Sequence, residues 1–159
     1  MTEAPGRLLP PADWDALLAL IRRAFAGMQG RIDPPSSVHT LTPAAIALLA
    51  TTEEVWTIAT PPVACVFLTL RPASVYLHKL AVDPAHHRRG HARALVATAA
   101  TRARALGLPA LTLSTRVELA ENHAAFRAMG FIETARSAHP GFHQPTTLHF
   151  TLPLTGDAR

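Results

Sequence analysis

The segment Leu77-His-Lys-Leu-Ala-Val-Asp-Pro-Ala-His-His-Arg-Arg-Gly-His-Ala-Arg-Ala-Leu-Val96 constrains the fold of this chain more than any other. An apolar strand, Val75 to Val82, runs into Asp83-Pro84. A short basic loop follows, then Gly90 and Ala92, then an alanine-rich amphipathic helix. A loop that opens a helix leaves the first-turn N–H groups unpaired, with the positive end of the helix dipole behind them. That arrangement suits a pyrophosphate. A bulky side chain at Gly90 or Ala92 would hold phosphates off the backbone donors, and Arg88, Arg89 and Arg93 add charge where anionic oxygens would lie. An ordinary strand-to-helix connection with solvated arginines would read the same way, so the rest of the chain has to decide.

The chain has 159 residues, one domain's worth, and its 48% apolar and 16% charged content marks it as globular. Lys79 is the single lysine among fifteen basic residues, which points to coding bias. The net charge of +4 and pI of about 10.5 favour anionic ligands. They do not indicate nucleic acid, because no basic run is interleaved with aromatics. The single cysteine, Cys65, sits in the apolar run Val63 to Leu70, reads as a core residue, and excludes an intrachain disulfide. No signal peptide and no membrane-spanning stretch is visible, so the expected location is cytoplasmic, with no membrane partner. A homodimer is left open.

Trp14, Leu17, Leu18, Ile21, Phe25 and Met28 recur at helical spacing behind Asp13 and Asp15, and Gly27 and Gly30 close that helix. Residues 30–38 hold two prolines and two serines and form a loop. Thr42-Pro43 caps a short helix through about Ala50. Arg7 to Leu9 could be a short first strand. Val55 to Thr60, Val63 to Leu70 and Val75 to Val82 read as an antiparallel meander with short proline-containing turns. After the loop, Leu95, Val96, Ala99, Ala103 and Leu106 share one helix face, which Gly107-Leu-Pro109 ends. Ala110 to Thr115 is the next strand, reached by a helical crossover and so parallel to Val75–Val82. A helix from about Glu118 to Met129 precedes the strands Phe131 to Ala138 and Thr146 to Leu152. The order is β-α-α-β-β-β-α-β-α-β-β.

That order, with an anion loop opening the helix after the fourth strand, resembles the GNAT superfamily of acyl-CoA-dependent N-acyltransferases. The family's loop pattern is Gln/Arg-x-x-Gly-x-Gly/Ala, and the chain has His87-Arg88-Arg89-Gly90-His91-Ala92, departing at the first position. Glu121-Asn-His-Ala-Ala-Phe-Arg-Ala-Met-Gly-Phe131 resembles the family's second signature, near the sulfur of the cofactor. The resemblance implies a single domain over residues 1–159, of α/β (α+β) class. Its sheet would be mixed, mostly antiparallel, of about six or seven strands, splayed between strands 4 and 5 and flanked by four helices. It also implies acetyl-CoA as co-substrate, with no metal. His87, Arg88, Arg89, Gly90, His91, Ala92 and Arg93 would hold the pyrophosphate. The pantetheine arm would pair with backbone near Leu80, Ala81 and Val82, and the Val82 N–H would polarise the thioester carbonyl. Asn122 and Phe126 share a helix face and could approach the arm. Read without the family, Leu80 and Val82 are core residues and Asn122 is a solvated helix residue.

Acyl transfer to an amine of pKa about 10 requires loss of a proton, and the departing thiol has a pKa of about 8.5. In many relatives a tyrosine protonates the sulfur; the matching position here is Phe126, which has no hydroxyl. The first candidate for the base is His78, on the fourth strand, whose side-chain chemistry suits the task. A histidine merely exposed on a sheet is the alternative. Ser114 and Thr115 could orient water or the acceptor, while Glu118 and Glu121 read as first-turn helix charges. Among nine histidines, His87 and His91 lack the hydrolytic-zinc pattern, and His139, His143 and His149 have no accompanying cysteines, so no metal is expected. Arg31, Asp33, Ser36, Ser37 and His39, in the loop between the first two helices, and Phe142 are candidate acceptor contacts. The expected function is an N-acetyltransferase acting by direct attack of a primary amine of a small molecule or peptide. A catalytically silent acyl-CoA-binding module, sensing or regulatory, and a nucleic-acid-binding protein motivated only by charge are the competing readings.

Overall fold

The meander and the parallel crossover are both present in the computed structural model, which describes residues 3–154. The strands are β1 (Gly6–Arg7), β2 (Glu54–Ile58), β3 (Ala64–Leu70), β4 (Val75–Val82), β5 (Ala110–Arg116), β6 (Ile132–Ser137) and β7 (Thr147–Pro153). They form one mixed sheet in the order β1-β2-β3-β4-β5-β7-β6. Among the described residues only β4 and β5 are parallel neighbours. The helices are α1 (Trp14–Phe25), α2 (Pro43–Leu49), α3 (His91–Ala105) and α4 (Ala120–Ala128).

Each helix face packs where its periodicity sends it. Leu17, Leu18, Leu20 and Ile21 of α1 and Ile46 of α2 bury against Val55, Cys65, Phe67 and Ala81 on one face of the sheet. Leu95, Val96, Ala99 and Ala103 of α3 bury against Val66, Leu68, Leu77, Leu111 and Leu113 on the other. Each large aliphatic side chain so buried contributes roughly 1.5–3 kcal/mol. Cys65 is fully buried, as a core residue should be, and burial pushes its thiol up to about 12. The Glu54 carboxylate at the start of β2 accepts from Arg102 at 2.5 and 2.9 Å, which fixes α3 across the sheet.

Some boundaries differ from the sequence expectation. The first helix ends at Phe25 and continues through Met28 as a 3-10 turn, because Gly27 removes helix propensity there. The fourth helix starts at Ala120, so Glu118 precedes it. Further 3-10 turns at Ser37–Thr40 and Pro84–His86 are too short to show a period in the sequence.

The irregularity that positions the site lies in β4. Phe67 pairs with His78 and Cys65 with Ala81, so two residues of β4, Lys79 and Leu80, oppose one of β3. This is a β-bulge, and Lys79 takes the left-handed conformation at φ +50°. It reverses the alternation: Val75 and Leu77 face α3, whereas Ala81 faces α1. A bulge also bends its strand, and the β4–β5 ladder stops at Leu77↔Leu113. Beyond that pair the two strands diverge.

Candidate active site

At one end of the opening is the anion loop. Gly90 caps α3 at φ +80°, where a side chain is strained, and a Cβ placed there would meet no protein atom within 4 Å. The space it would fill therefore lies outside the protein, where a ligand can come up to the backbone. The first α3 hydrogen bond runs from Ala94 N–H to Gly90 O at 2.9 Å. The N–H groups of His91, Ala92 and Arg93 are left without an intrahelical acceptor. Arg88, Arg89 and Arg93 are exposed around them, with Arg88 also left-handed at φ +65°. The His87 ring folds back to the Val82 carbonyl, at 3.2 Å. The His91 side chain is buried beside His86, 6.3 Å away between ring centres, so only its backbone faces the loop. Asp83 pins the loop to α1, accepting from Ala85 N–H at 2.9 Å and Arg23 Nε at 3.0 Å, and those donors hold its carboxyl below the usual range.

Two adjoining cavities lie along β4, the first bounded by α1 and α4 and the second also by β5. One, of about 430 Å³, runs from His87, Pro84 and Ala92 past Leu80, Ala81 and Val82 to Asn122 and Phe126. The other, of about 530 Å³, starts at Leu80, Asn122 and Phe126 and extends over His78, Lys79, Ser114, Arg116, His139 and His149. Asn122 and Phe126 thus stand at the junction, and Phe126 packs edge-on against Phe131 at 5.8 Å. The Asp83 N–H bonds Val63 O at 2.8 Å, toward β3. Successive peptide groups in a strand point to opposite sides, so the Val82 N–H and C=O point into the opening.

The second cavity carries two hydrogen-bonded chains, one on each side of the split. On β4, His78 Nε2 lies 2.7 Å from Glu53 Oε1, and His78 Nδ1 lies 3.2 Å from Lys79 Nζ. A carboxylate only accepts and an ammonium only donates, so Nε2 carries the hydrogen and Nδ1 is the acceptor. The other Glu53 oxygen accepts from Thr69 at 3.0 Å. Burial first, then the Lys79 ammonium, holds the His78 imidazole below its ordinary value; burial does the same to Lys79. On β5, Ser114 Oγ lies 2.8 Å from His149 Nδ1, and His149 Nε2 lies 2.7 Å from Ser137 Oγ. His78 and Ser114 each follow the last residue of the β4–β5 ladder, so both chains start at the mouth of the split.

The loop between α1 and α2 closes over the far side through three contacts. Arg31 makes a two-pronged ion pair with Glu121 at 2.6 and 2.9 Å, which draws the Glu121 carboxyl down to about 2. The Asp33 N–H reaches Glu118 at 3.3 Å, and Arg116 donates to the carbonyls of Pro34 and Pro35 at 2.6 and 3.4 Å. Glu118 and Glu121, read in the sequence as helix-start charges, therefore serve as anchors for this loop. Arg31 faces the 430 Å³ cavity. Ser36 and His39 line a third cavity, of about 610 Å³, against α1. Asp33, Ser37 and Phe142 line none of the three.

Glu53 and Ser137 carry no signal in the sequence, and His149 stands out there only as a histidine weighed as a metal ligand. Leu148, Phe150 and Leu152 alternate inward, which puts His149 on the opposite face. Its pairing with Ser114, however, depends on β7 lying between β5 and β6. Among the described residues no three metal-ligating side chains converge, and no helix is long and apolar enough to cross a membrane.

A parallel strand pair opened beside an anion loop is the architecture of a group-transfer enzyme that threads an extended, phosphorylated co-substrate through its sheet. The chain belongs to the acetyltransferase (GNAT) family, whose sequence profile matches residues 14–131, and is an acyl-CoA-dependent acetyltransferase. The fold is similar to that of the ribosomal-protein-S18-alanine N-acetyltransferase from Escherichia coli (TM-score 0.73, 20% identity, 98% of this chain and 96% of that one). It also resembles PaiA N-acetyltransferase from Thermoplasma acidophilum, solved in complex with coenzyme A (TM-score 0.81, 10% identity, 96% and 99%). A putative GNAT-family acetyltransferase from Desulfovibrio desulfuricans gives TM-score 0.73 at 20% identity over 96% and 99%. The sequence has no significant match among curated proteins.

Proposed function

We propose that this protein transfers an acetyl group from acetyl-CoA to a primary amine of a small molecule or peptide, by direct attack. The observation that carries this reading is the continuity of the two cavities through the split, with unpaired helix N–H groups at one end and a titratable chain at the other. Acetyl-CoA supplies the activated acyl group. The N–H groups from Arg88 to Arg93 hold its diphosphate, Leu80 to Val82 flank its arm, and the Val82 N–H points where the thioester oxygen lies. Asn122 and Phe126 border the sulfur.

His78 takes the proton of the incoming amine at Nδ1, once Lys79 yields that nitrogen, while Glu53 holds the ring in the required tautomer. Across the split, Ser114, backed by His149, offers a hydroxyl to the departing sulfur in place of the tyrosine that position 126 lacks. The test is thiol release from acetyl-CoA against an amine panel. Amine-dependent release with a matching acetylated product supports the reading. Tight acetyl-CoA binding with no release from any amine would instead support a silent binding module.

A further inference from the structure

The charge on the acceptor side of the split is lopsided. The 530 Å³ cavity has two basic side chains, Lys79 and Arg116, and three histidines in its walls, with no aspartate or glutamate. Neither cation is neutralised by an ion pair among the described residues. Lys79 Nζ has the neutral His78 Nδ1 at 3.2 Å and the Phe67 ring centre at 5.6 Å. Glu53, the carboxylate behind it, gives one oxygen to His78 and the other to Thr69, so its charge reaches Lys79 only at a distance and not as an ion pair. Arg116 donates to the two proline carbonyls, which leave its charge uncancelled. Glu118 makes no ion pair with it and does not line the cavity.

Partly desolvated cations without an ion-pair partner are costly, and they become an asset when a ligand brings an anion into contact. They also repel any second ammonium, which is discrimination by repulsion. The same positive field favours the neutral form of an incoming amine, the form that attacks. We infer that the acceptor is a primary amine that also carries an oxyanion, a carboxylate or a phosphate, held by Lys79 and Arg116 while the amine lies at the split. This rests on the acetyltransferase reading above and narrows its substrate class. Diamines and other polycationic amines are excluded by the same charges.

The experiment compares matched acceptors at equal concentrations of unprotonated amine. The pairs are β-alanine with β-alaninamide, phosphoethanolamine with ethanolamine, and alanyl-glutamate amide with alanyl-glutamine amide; 1,4-diaminobutane is the repelled case. In the pair whose spacing fits, the anionic member should have the larger kcat/KM by roughly tenfold or more, a charged hydrogen bond's worth. The diamine should be the poorest acceptor. Whether a carboxylate or a phosphate pair shows the preference identifies the oxyanion. Lys79→Met and Arg116→Gln should bring the ratio toward one through the KM of the anionic acceptor, while Lys79→Arg and Arg116→Lys retain it. Equal or better use of the neutral partner in all three pairs, or a preference that survives both charge-removing variants, overturns the inference and leaves the acetyltransferase reading intact. Calorimetric binding of N-acetyl-β-alanine and N-acetyl-β-alaninamide in the presence of CoA needs no turnover. Selective binding of the acid without transfer to any amine would uphold the charge assignment and sink the reaction instead.

Discussion

The two ends of the split are built on different principles. The anion loop offers backbone: its donors are peptide N–H groups within the six residues from Arg88 to Arg93, and its one demanding side-chain requirement is the absence of one at Gly90. The acceptor cavity uses side chains, contributed by β4, β5, α4 and the β6–β7 hairpin. A backbone site tolerates exchange of its flanking arginines, since its donors belong to every residue. A side-chain site is tuned residue by residue. In the proposed function the common co-substrate is held by the first kind and the particular acceptor by the second.

The sharpest way to break this contrast is to remove one group at each end. His78→Ala should lower kcat/KM by about 10² to 10⁴, the usual range for losing a general base, and leave acetyl-CoA affinity unchanged in calorimetry. Gly90→Val should do the opposite. It forces a β-branched residue to φ +80° and fills the open space beside the N–H groups. The strain costs about 1–3 kcal/mol, or a melting temperature lower by several degrees. The stabilisation conferred by acetyl-CoA in thermal melts should vanish. If His78→Ala abolished co-substrate binding, the two ends would not be separable; if Gly90→Val spared it, the loop would not be what holds the co-substrate.

The same division explains what could be read from the sequence. The loop was legible because strand, Asp83-Pro84, Gly90 and helix follow one another along the chain, and local chemistry fixes their geometry. The helix faces and the parallel crossover were legible from periodicity and connection length. Glu53 was not, because it lies in a turn 25 residues before its partner His78. His149 meets Ser114 only because β7 inserts between β5 and β6. The bulge at Lys79 has no turn signature such as glycine, and it arises from the pairing with β3. The Arg31 pairing with Glu121, 90 residues on, was not legible either, because the loop and α4 meet only in the folded chain.

Smaller effects sharpen the picture of the cavity. His78 is held below its ordinary 6.5, so it remains neutral when a free imidazole would already be protonated. The log of kcat/KM should therefore rise with unit slope through neutral pH, from ionisation of the amine, and steepen only below pH 6.5. Steepening above that pH would show that His78 is not the base. Glu53→Gln should cost less than His78→Ala, because it loosens the tautomer and leaves the acceptor nitrogen in place. Smallest of all, Phe126→Tyr should be nearly neutral in kcat if Ser114 already serves the sulfur. A gain toward 10²-fold would show that sulfur protonation limits turnover.

The most direct measurement is a crystal structure with bound acetyl-CoA. The diphosphate should lie on the N–H groups from Arg88 to Arg93 and the thioester oxygen about 3 Å from the Val82 nitrogen. The acetyl carbon should face His78 through the opening beyond Leu77 and Leu113. A co-substrate whose acyl end lies outside the split, or whose diphosphate bypasses Gly90, would contradict this placement.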